Sequence, residues 1–312
     1  MQGVISNDAA EPAGGRGAQR FAAADTLRTL NRAGTVAGID VAGAQLLRIG
    51  ENAVYRLSDR IIARIARTAA YEPDARKEVA VARWLQGQGY PAVRALAIDQ
   101  PIVVDDRVVT FWDVVSDKES YGSTAEVASL LVWLHRMEPP TSLELPSLQP
   151  FARAELRIDG NNWFGSEDRN FLRGRLGELR AGYADLEFAL TPGVIHGDAS
   201  VGNVIHDDAG DPVLIDLDGF AIGPREWDLV VTALYYDSFG WHTRQEYDAF
   251  AKTYGFDVME WSGYAILRDI REFLMVTWLS QKAGDDERAA AEARKRISAL
   301  RAGSDRRDWQ PY

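Results

Sequence analysis

Apolar and polar positions change period along this chain of 312 residues, and the changes divide it. Residues 1–20 show no period and are Ala, Gly and polar, which predicts a disordered tail. Phe21 to Arg32 has helical spacing. From Val41 the pattern alternates in short runs: Gln45–Arg48, a break at Ile49–Asn52, Val54–Leu57, a turn at Ser58–Arg60, then Ile61–Ala66. This predicts three strands joined by a loop and a tight turn. Tyr71 to Gln86 returns to the helical period, with Pro73 in its first turn and Gly87 and Gly89 beyond its end. Glu78, Ala82 and Leu85 share one face of that helix by i, i+4, i+7. Ile102–Val104 and Arg107–Val115 then form a hairpin across Asp105-Asp106.

From Ser123 onward the helical period dominates. Ser123 to Glu126 is a capping box, followed by the stripe Leu130, Leu131 and Leu134. His135 reads as a structural helix-end residue, and 139–150 as a linker loop. Ser166 to Ala189 is a helix with Leu172, Leu176 and Leu179 in register. Pro224 opens another, Thr243 to Glu246 is a second capping box, Trp261 to Lys282 is a long helix, and a last helix ends near Ala302. Residues 303–312 form a polar tail. The pattern predicts an α+β chain, with a small antiparallel β lobe over 21–115 and a larger, mainly helical lobe over 116–302.

One stretch interrupts the helical half. Between Gly193 and Leu229 the short apolar runs Val194–Ile195 and Val213–Ile215 each lead into a carboxylate: His196-Gly197-Asp198 with Asn203 after the first, Asp216-Leu217-Asp218-Gly219 after the second. A strand–turn–strand there would gather Asp198, Asn203 and Asp216 at one end of a small sheet. Taken singly, each Asp reads equally well as a turn carboxylate capping a strand end. Gly197-Asp198 with Gly202-Asn203 also echoes a metallophosphoesterase motif. It has one residue too many in the gap, and a dinuclear site needs more imidazoles than His135, His196, His206 and His242 supply.

The spacing Asp, Asn five residues on, and a second Asp after a strand matches kinase chemistry. One carboxylate takes the proton of an attacking hydroxyl, while an amide oxygen and the second carboxylate hold Mg²⁺ on nucleotide phosphates. His196-Gly197-Asp198, Asn203, Ile215-Asp216-Leu217-Asp218, Gly223 and Trp227-Asp228-Leu229 together resemble the aminoglycoside phosphotransferase and choline kinase-like family. Over roughly residues 40 to 300 the resemblance implies a two-lobed protein-kinase-like fold. It implies ATP with GTP as the alternative, Mg²⁺, and transfer of the γ-phosphoryl to a small-molecule hydroxyl. It assigns Asp198 as the catalytic carboxylate and Asn203 and Asp216 as metal ligands. Gly50 and Asn52 lie in the phosphate-covering hairpin, Arg64 (Arg67 as fallback) stands at the usual Lys position and pairs with Glu78, and main-chain groups of Asp113 to Val115 meet adenine. Asp218 is open between metal shell and loop cap, and Asp228 is expected to brace the catalytic loop.

Charge narrows the partners. A net charge of −11 argues against nucleic acid or an anionic membrane and favours a cationic acceptor. The family's late helices close over the acceptor, so Asp237, Asp269 and Glu272 are the candidates for holding ammonium groups, with pairing to Arg268 or Arg271 as the bland reading. An amino sugar such as an aminoglycoside is the leading acceptor. A sugar, amino alcohol or hydroxy acid, or a weakly active nucleotide-binding module, is the alternative. With no cysteine there is no disulfide or thiolate chemistry. The absence of a spanning apolar run or signal region predicts a cytoplasmic protein, monomeric or homodimeric.

Overall fold

The computed structural model describes residues 21–58 and 60–312, so the tail expected over residues 1–20 lies outside the described residues. The N-terminal lobe is a five-stranded antiparallel sheet of β1 (Gln45–Ile49), β2 (Asn52–Ser58), β3 (Ile61–Ala66), β4 (Ile102–Val104) and β5 (Arg107–Asp113), in the order β1-β2-β3-β5-β4. Asp105 and Asp106 both take positive φ, 53° and 58°. That is the backbone a two-residue hairpin needs, and Asp tolerates it better than most side chains.

Alternation on β5 sorts two neighbours onto opposite faces. Phe111 joins a core with Tyr55, Ile65 and Leu30 beneath helix α1 (Ala23–Ala37). Trp112 points the other way, into the main core with Leu85 of helix α2 (Glu72–Gly87). β5 is thus buried from Arg107 through Trp112, which explains its near-continuous apolar run.

The C-terminal lobe comprises α3 (Thr124–His135), α4 (Ala152–Gly160), α5 (Ser166–Ala184), α6 (Glu226–Asp237), α7 (Arg244–Tyr254), α8 (Tyr264–Ser280) and α9 (Glu287–Ala302). Both predicted capping boxes form, Ser123 with Glu126 and Thr243 with Glu246. α5 stops at Ala184, short of the expected Ala189, and α4 is a helix the hydrophobic pattern did not single out. α8 is apolar over most of its circumference because α4, α5, α6 and α9 all pack on it.

The interrupting stretch differs from the single strand–turn–strand expected. It makes two separate two-stranded ladders: β6 (Gly193–Ile195) pairs with β9 (Ala221–Gly223), and β7 (Val204–His206) with β8 (Pro212–Leu214). β8 follows β7 through the tight turn at Asp207–Asp211, so β7 takes its pairing edge and β6 must find β9. Residues 303–312, read as a polar tail, fold back on the helices beyond the α9 cap at Gly303. Trp309 is fully buried and stacks on Phe239, and Arg296 of α9 donates to the Gln310 carbonyl at 2.6 Å. Among the described residues no helix is long and apolar enough to cross a membrane.

Candidate active site

Asp198 sits on the loop after β6, buried, and Gly197 shapes its approach. Gly197 has φ +90°, and a Cβ there would lie 2.4 Å from the Gly219 carbonyl oxygen. Only glycine lets this loop cross the Asp216–Gly219 segment so closely. Three neighbouring side chains then fix the loop. Asp228, in the first turn of α6, accepts from the backbone N–H groups of His196 (2.7 Å) and Gly197 (2.8 Å) and pairs with His135 Nε2 at 3.0 Å. Burial alone would raise the Asp228 carboxyl, but the His135 bond and the backbone donors outweigh it and hold it below the usual range. Trp227 Nε1 donates to the Gly197 carbonyl at 3.0 Å. His196 accepts from the Asp198 N–H on Nδ1 (3.2 Å), so its proton lies on Nε2, which donates to the Ile215 carbonyl at 3.0 Å. That imidazole ties the Asp198 loop to the strand end that carries Asp216.

Asn203 ends a short 3₁₀ turn before β7. Its amide nitrogen donates to the Asp198 carbonyl at 2.8 Å and reaches Asp198 Oδ2 at 3.3 Å, so both of these bonds use the nitrogen and neither uses the amide oxygen. Asp216 follows β8 with φ 63° and ψ 66°, a left-handed conformation uncommon outside glycine. Such strain is held only where the surroundings dictate it, and here it turns the chain out of β8 beneath Asp198. Asp218 lies two residues on. Burial, then Asp216 and Glu78, push its carboxyl well above the usual range. Three carboxylates are therefore gathered within electrostatic reach of one another, opposed by Arg64, Lys77 and Arg153.

The cation side comes from the N-terminal lobe. Arg64 on β3 donates to Glu78 of α2 at 2.6 Å, with its guanidinium lying against the Trp112 ring. Burial lowers the Arg64 pKa, but Glu78, Asp216 and Asp218 more than reverse it, so Arg64 stays charged beside the Asp216–Asp218 segment. Arg67 is instead turned to the hairpin, donating to the Gly50 carbonyl at 2.9 Å. At the hairpin tip Gly50 N–H is bonded to the Asn52 carbonyl, 3.0 Å, and Glu51 accepts from Trp278 of α8 at 3.2 Å. In the strand between the lobes, Asp113 N–H is committed to the Arg94 carbonyl and Val114 N–H to that of Arg60, both 2.9 Å. Of its main-chain groups Asp113 thus offers a nucleotide its carbonyl oxygen and not its N–H, while Val115 follows both committed amides.

The three carboxylates expected at the acceptor side are matched by arginines. Asp237 accepts from Tyr264 (3.1 Å) and faces Arg268 at 3.6 Å. Asp269 pairs with Arg175 at 2.7 Å and with Arg268, and buried Glu272 pairs with Arg306 at 3.0 Å. Two contacts at the site were not foreseen from the sequence, which had offered Arg271 as a partner of the acceptor-side carboxylates. Lys77 of α2 donates to the Asp218 and Phe220 carbonyls, and Arg271 of α8 donates to Asp198 Oδ1 at 2.5 Å. Neither carries a local motif, and each acts across 70 or more residues of chain.

The donor set suits a hard cation. Among the described residues no cluster of three or more His, Cys, Asp or Glu side chains could by itself hold a metal. An amide oxygen from Asn203 and a carboxylate from Asp216 would supply two oxygen donors, and Mg²⁺ commonly takes only one or two from protein and the rest from phosphate and water. The like-charged carboxylates at Asp216 and Asp218 are the kind a divalent ion would relieve.

Two lobes, a strand cation joined to a helix carboxylate, and an Asp–Asn–Asp set below them define the class as a protein-kinase-like fold. A family model, "phosphotransferase enzyme family", matches residues 45–270. The chain belongs to that family and is a small-molecule phosphotransferase. Among solved structures an amicoumacin kinase is 14% identical with a TM-score of 0.68, over 92% of this chain and 96% of that one. A spectinomycin phosphotransferase is 13% identical with a TM-score of 0.61, over 87% and 93%. The choline kinase of Streptococcus pneumoniae is 15% identical with a TM-score of 0.63, over 89% and 100%. These likenesses carry the fold. None of the curated proteins compared matches the sequence.

Proposed function

We infer that this chain transfers the γ-phosphoryl group of a nucleoside triphosphate, ATP or alternatively GTP, to a hydroxyl of a small molecule. The observation that carries the reading is the meeting of Asp198, Asn203 and Asp216 with the Arg64–Glu78 pair, Asp216 acting electrostatically on both Asp198 and Arg64. In the proposed reaction the acceptor oxygen forms the new bond to the γ-phosphorus as the bond to the β–γ bridging oxygen breaks, and a nucleoside diphosphate leaves. Asp198 orients the hydroxyl and takes its proton. Burial, outweighing Arg271, pushes the Asp198 carboxyl up to about 6, closer to neutrality than a free Asp and so a better proton acceptor that is still ionised at pH 7. Asn203 and Asp216 hold Mg²⁺, which when bound offsets charge on the phosphate oxygens. Arg64, fixed by Glu78, reaches phosphate; Gly50 and Asn52 shape the hairpin above it, and the Asp113 carbonyl and Val115 meet the base.

Two acceptor classes are favoured by different observations. Relatives of this fold include kinases of amicoumacin, spectinomycin and choline, and the chain is strongly acidic, which favours a cationic amino sugar or amino alcohol held by Asp237, Asp269 and Glu272. The arginine partners of those same three carboxylates favour a neutral or anionic hydroxyl compound instead, because a cation would have to displace a guanidinium. The test is nucleotide consumption against a panel of amino sugars, amino alcohols, neutral sugars and hydroxy acids, with the phosphorylated product weighed by mass spectrometry. Transfer to one class identifies it. Nucleotide hydrolysis that no acceptor accelerates, with no phosphorylated product, overturns the reading.

A further inference from the structure

Arg271 has no place in the chemistry assigned above, yet it is bonded to the carboxylate at its centre. It projects from the middle of α8, and its side chain and that of Asp198 are only 5% and 4% exposed. The guanidinium lies over the Trp227 ring, 5.0 Å from its centre. One of its nitrogens donates to the Gly197 carbonyl at 3.2 Å, the oxygen that Trp227 Nε1 also reaches, and the other donates to Asp198 Oδ1 at 2.5 Å. A planar, forked donor meets a backbone carbonyl and the next residue's carboxylate from two nitrogens in one fixed geometry, which the single rotatable nitrogen of a Lys does not impose. The two Asp198 oxygens are therefore unequal. Oδ1 is held by a short charge-assisted bond, whereas Oδ2 receives only the 3.3 Å contact from Asn203.

We propose that Arg271 is the positioning residue of phosphoryl transfer: clamped by Trp227 and the Gly197 carbonyl, it locks Oδ1 of Asp198 and leaves Oδ2 as the oxygen that receives the acceptor hydroxyl. The proposal rests on the phosphotransfer reading and adds to it a residue that acts without touching the acceptor. α8 thereby joins the catalytic loop although it lies more than 70 residues further along the chain. A carboxylate free to rotate would lose the alignment on which in-line transfer depends, and misplacement by about 1 Å can cost roughly a hundredfold.

The test is a cycle over the wild type, Asp198→Asn, Arg271→Met and the double variant, with Arg271→Lys beside them, each assayed with an acceptor the wild type phosphorylates. Arg271→Met is expected to lower kcat by about a hundredfold with acceptor KM and MgATP affinity nearly unchanged, and Arg271→Lys to recover part of it. In the Asp198→Asn background the Arg271 change is expected to cost less than about twofold more, because residues acting as a unit are not additive. Undiminished kcat in Arg271→Met, a rise in acceptor KM alone, or an equal loss in the Asp198→Asn background overturns the proposal. Thermal unfolding of the four proteins reads the pairing without any acceptor: the double variant is expected to be more stable than the sum of the single losses, and strict additivity overturns the proposal. A wild type that phosphorylates nothing sinks the function reading while leaving this unfolding cycle in force.

Discussion

At the scale of single residues the proposed reaction separates proton handling from nucleotide handling, and the two should fail separately. Asp198→Asn is expected to reduce kcat by about a hundred- to ten-thousandfold, the range of general-base assistance, while calorimetry finds MgATP affinity nearly intact. Retention of wild-type kcat would remove Asp198 from its role. Asp216→Ala is expected to weaken MgATP binding more than Asn203→Ala, since only Asp216 brings a full charge and it already acts electrostatically on Arg64, Glu78 and Asp218. Equal affinity in both variants and the wild type would contradict the metal assignment. That Asp198, Asn203 and Asp216 come together was legible in the sequence, because one loop carries the first two and a short strand leads into the third. Arg271 and Lys77 were not legible. Their contacts depend on how α8 and α2 pack on a loop far away in the chain, and an arginine on a helix otherwise reads as surface charge. The arginine partners of Asp237, Asp269 and Glu272 were half legible, since Arg268 stands beside Asp269 while Arg175 and Arg306 come from remote segments.

At the scale of elements the alternation and helical spacing gave nearly every strand and helix of the fold, because one face of each is buried and its period is imposed. What failed was pairing. β6, β7, β8 and β9 are three residues each, too short for pattern to specify a partner, and the turn at Asp207–Asp211 settles β7 on β8. The loop between β6 and β7 is braced instead by α3 and α6 through the His135–Asp228 pair, which carries a stability prediction with a sign. Asp228 has a folded pKa below its ordinary value of 3.8, so its contribution is complete above that pH and is lost as pH falls through the folded value. Asp228→Asn is expected to lower Tm at pH 7, since it leaves buried N–H donors without their carboxylate, and removing one partner of such a buried pair typically costs about 3–5 kcal/mol. The gap between variant and wild type should narrow below about pH 4. A gap that stays constant from pH 7 to pH 3 would show that the carboxylate's charge is not what holds the loop.

At the scale of the whole molecule the lobes are joined by backbone bonds of Pro91 and Val93 to Leu214 and by Tyr90 to the Leu130 carbonyl, and further polar ties reach the two segments that would enclose nucleotide. Lys77 pins α2 to the carbonyls of Asp218 and Phe220, so the helix that carries Glu78 and the segment that follows Asp216 move together. On the opposite side the tip of the β1–β2 hairpin reaches the C-terminal lobe through Glu51 and Trp278. Trp278 is seven residues beyond Arg271 on α8, about 10.5 Å along the helix axis, so one helix touches both Asp198 and the tip of the β1–β2 hairpin. Trp278→Phe keeps an aromatic ring in the pocket formed with Ala283 and Ala289 but removes the indole N–H. A neutral-to-charged hydrogen bond of 3.2 Å that is partly open to solvent contributes on the order of 0.5–1.5 kcal/mol, so MgATP affinity is expected to fall by about two- to tenfold. Glu51→Gln should have a smaller effect, because the amide oxygen can still accept. Equilibrium binding decides it, with unfolding temperature as the control. If Trp278→Phe lowers Tm markedly and leaves MgATP affinity untouched, the indole serves the packing of α8 on α9 and the hairpin closes on nucleotide without it.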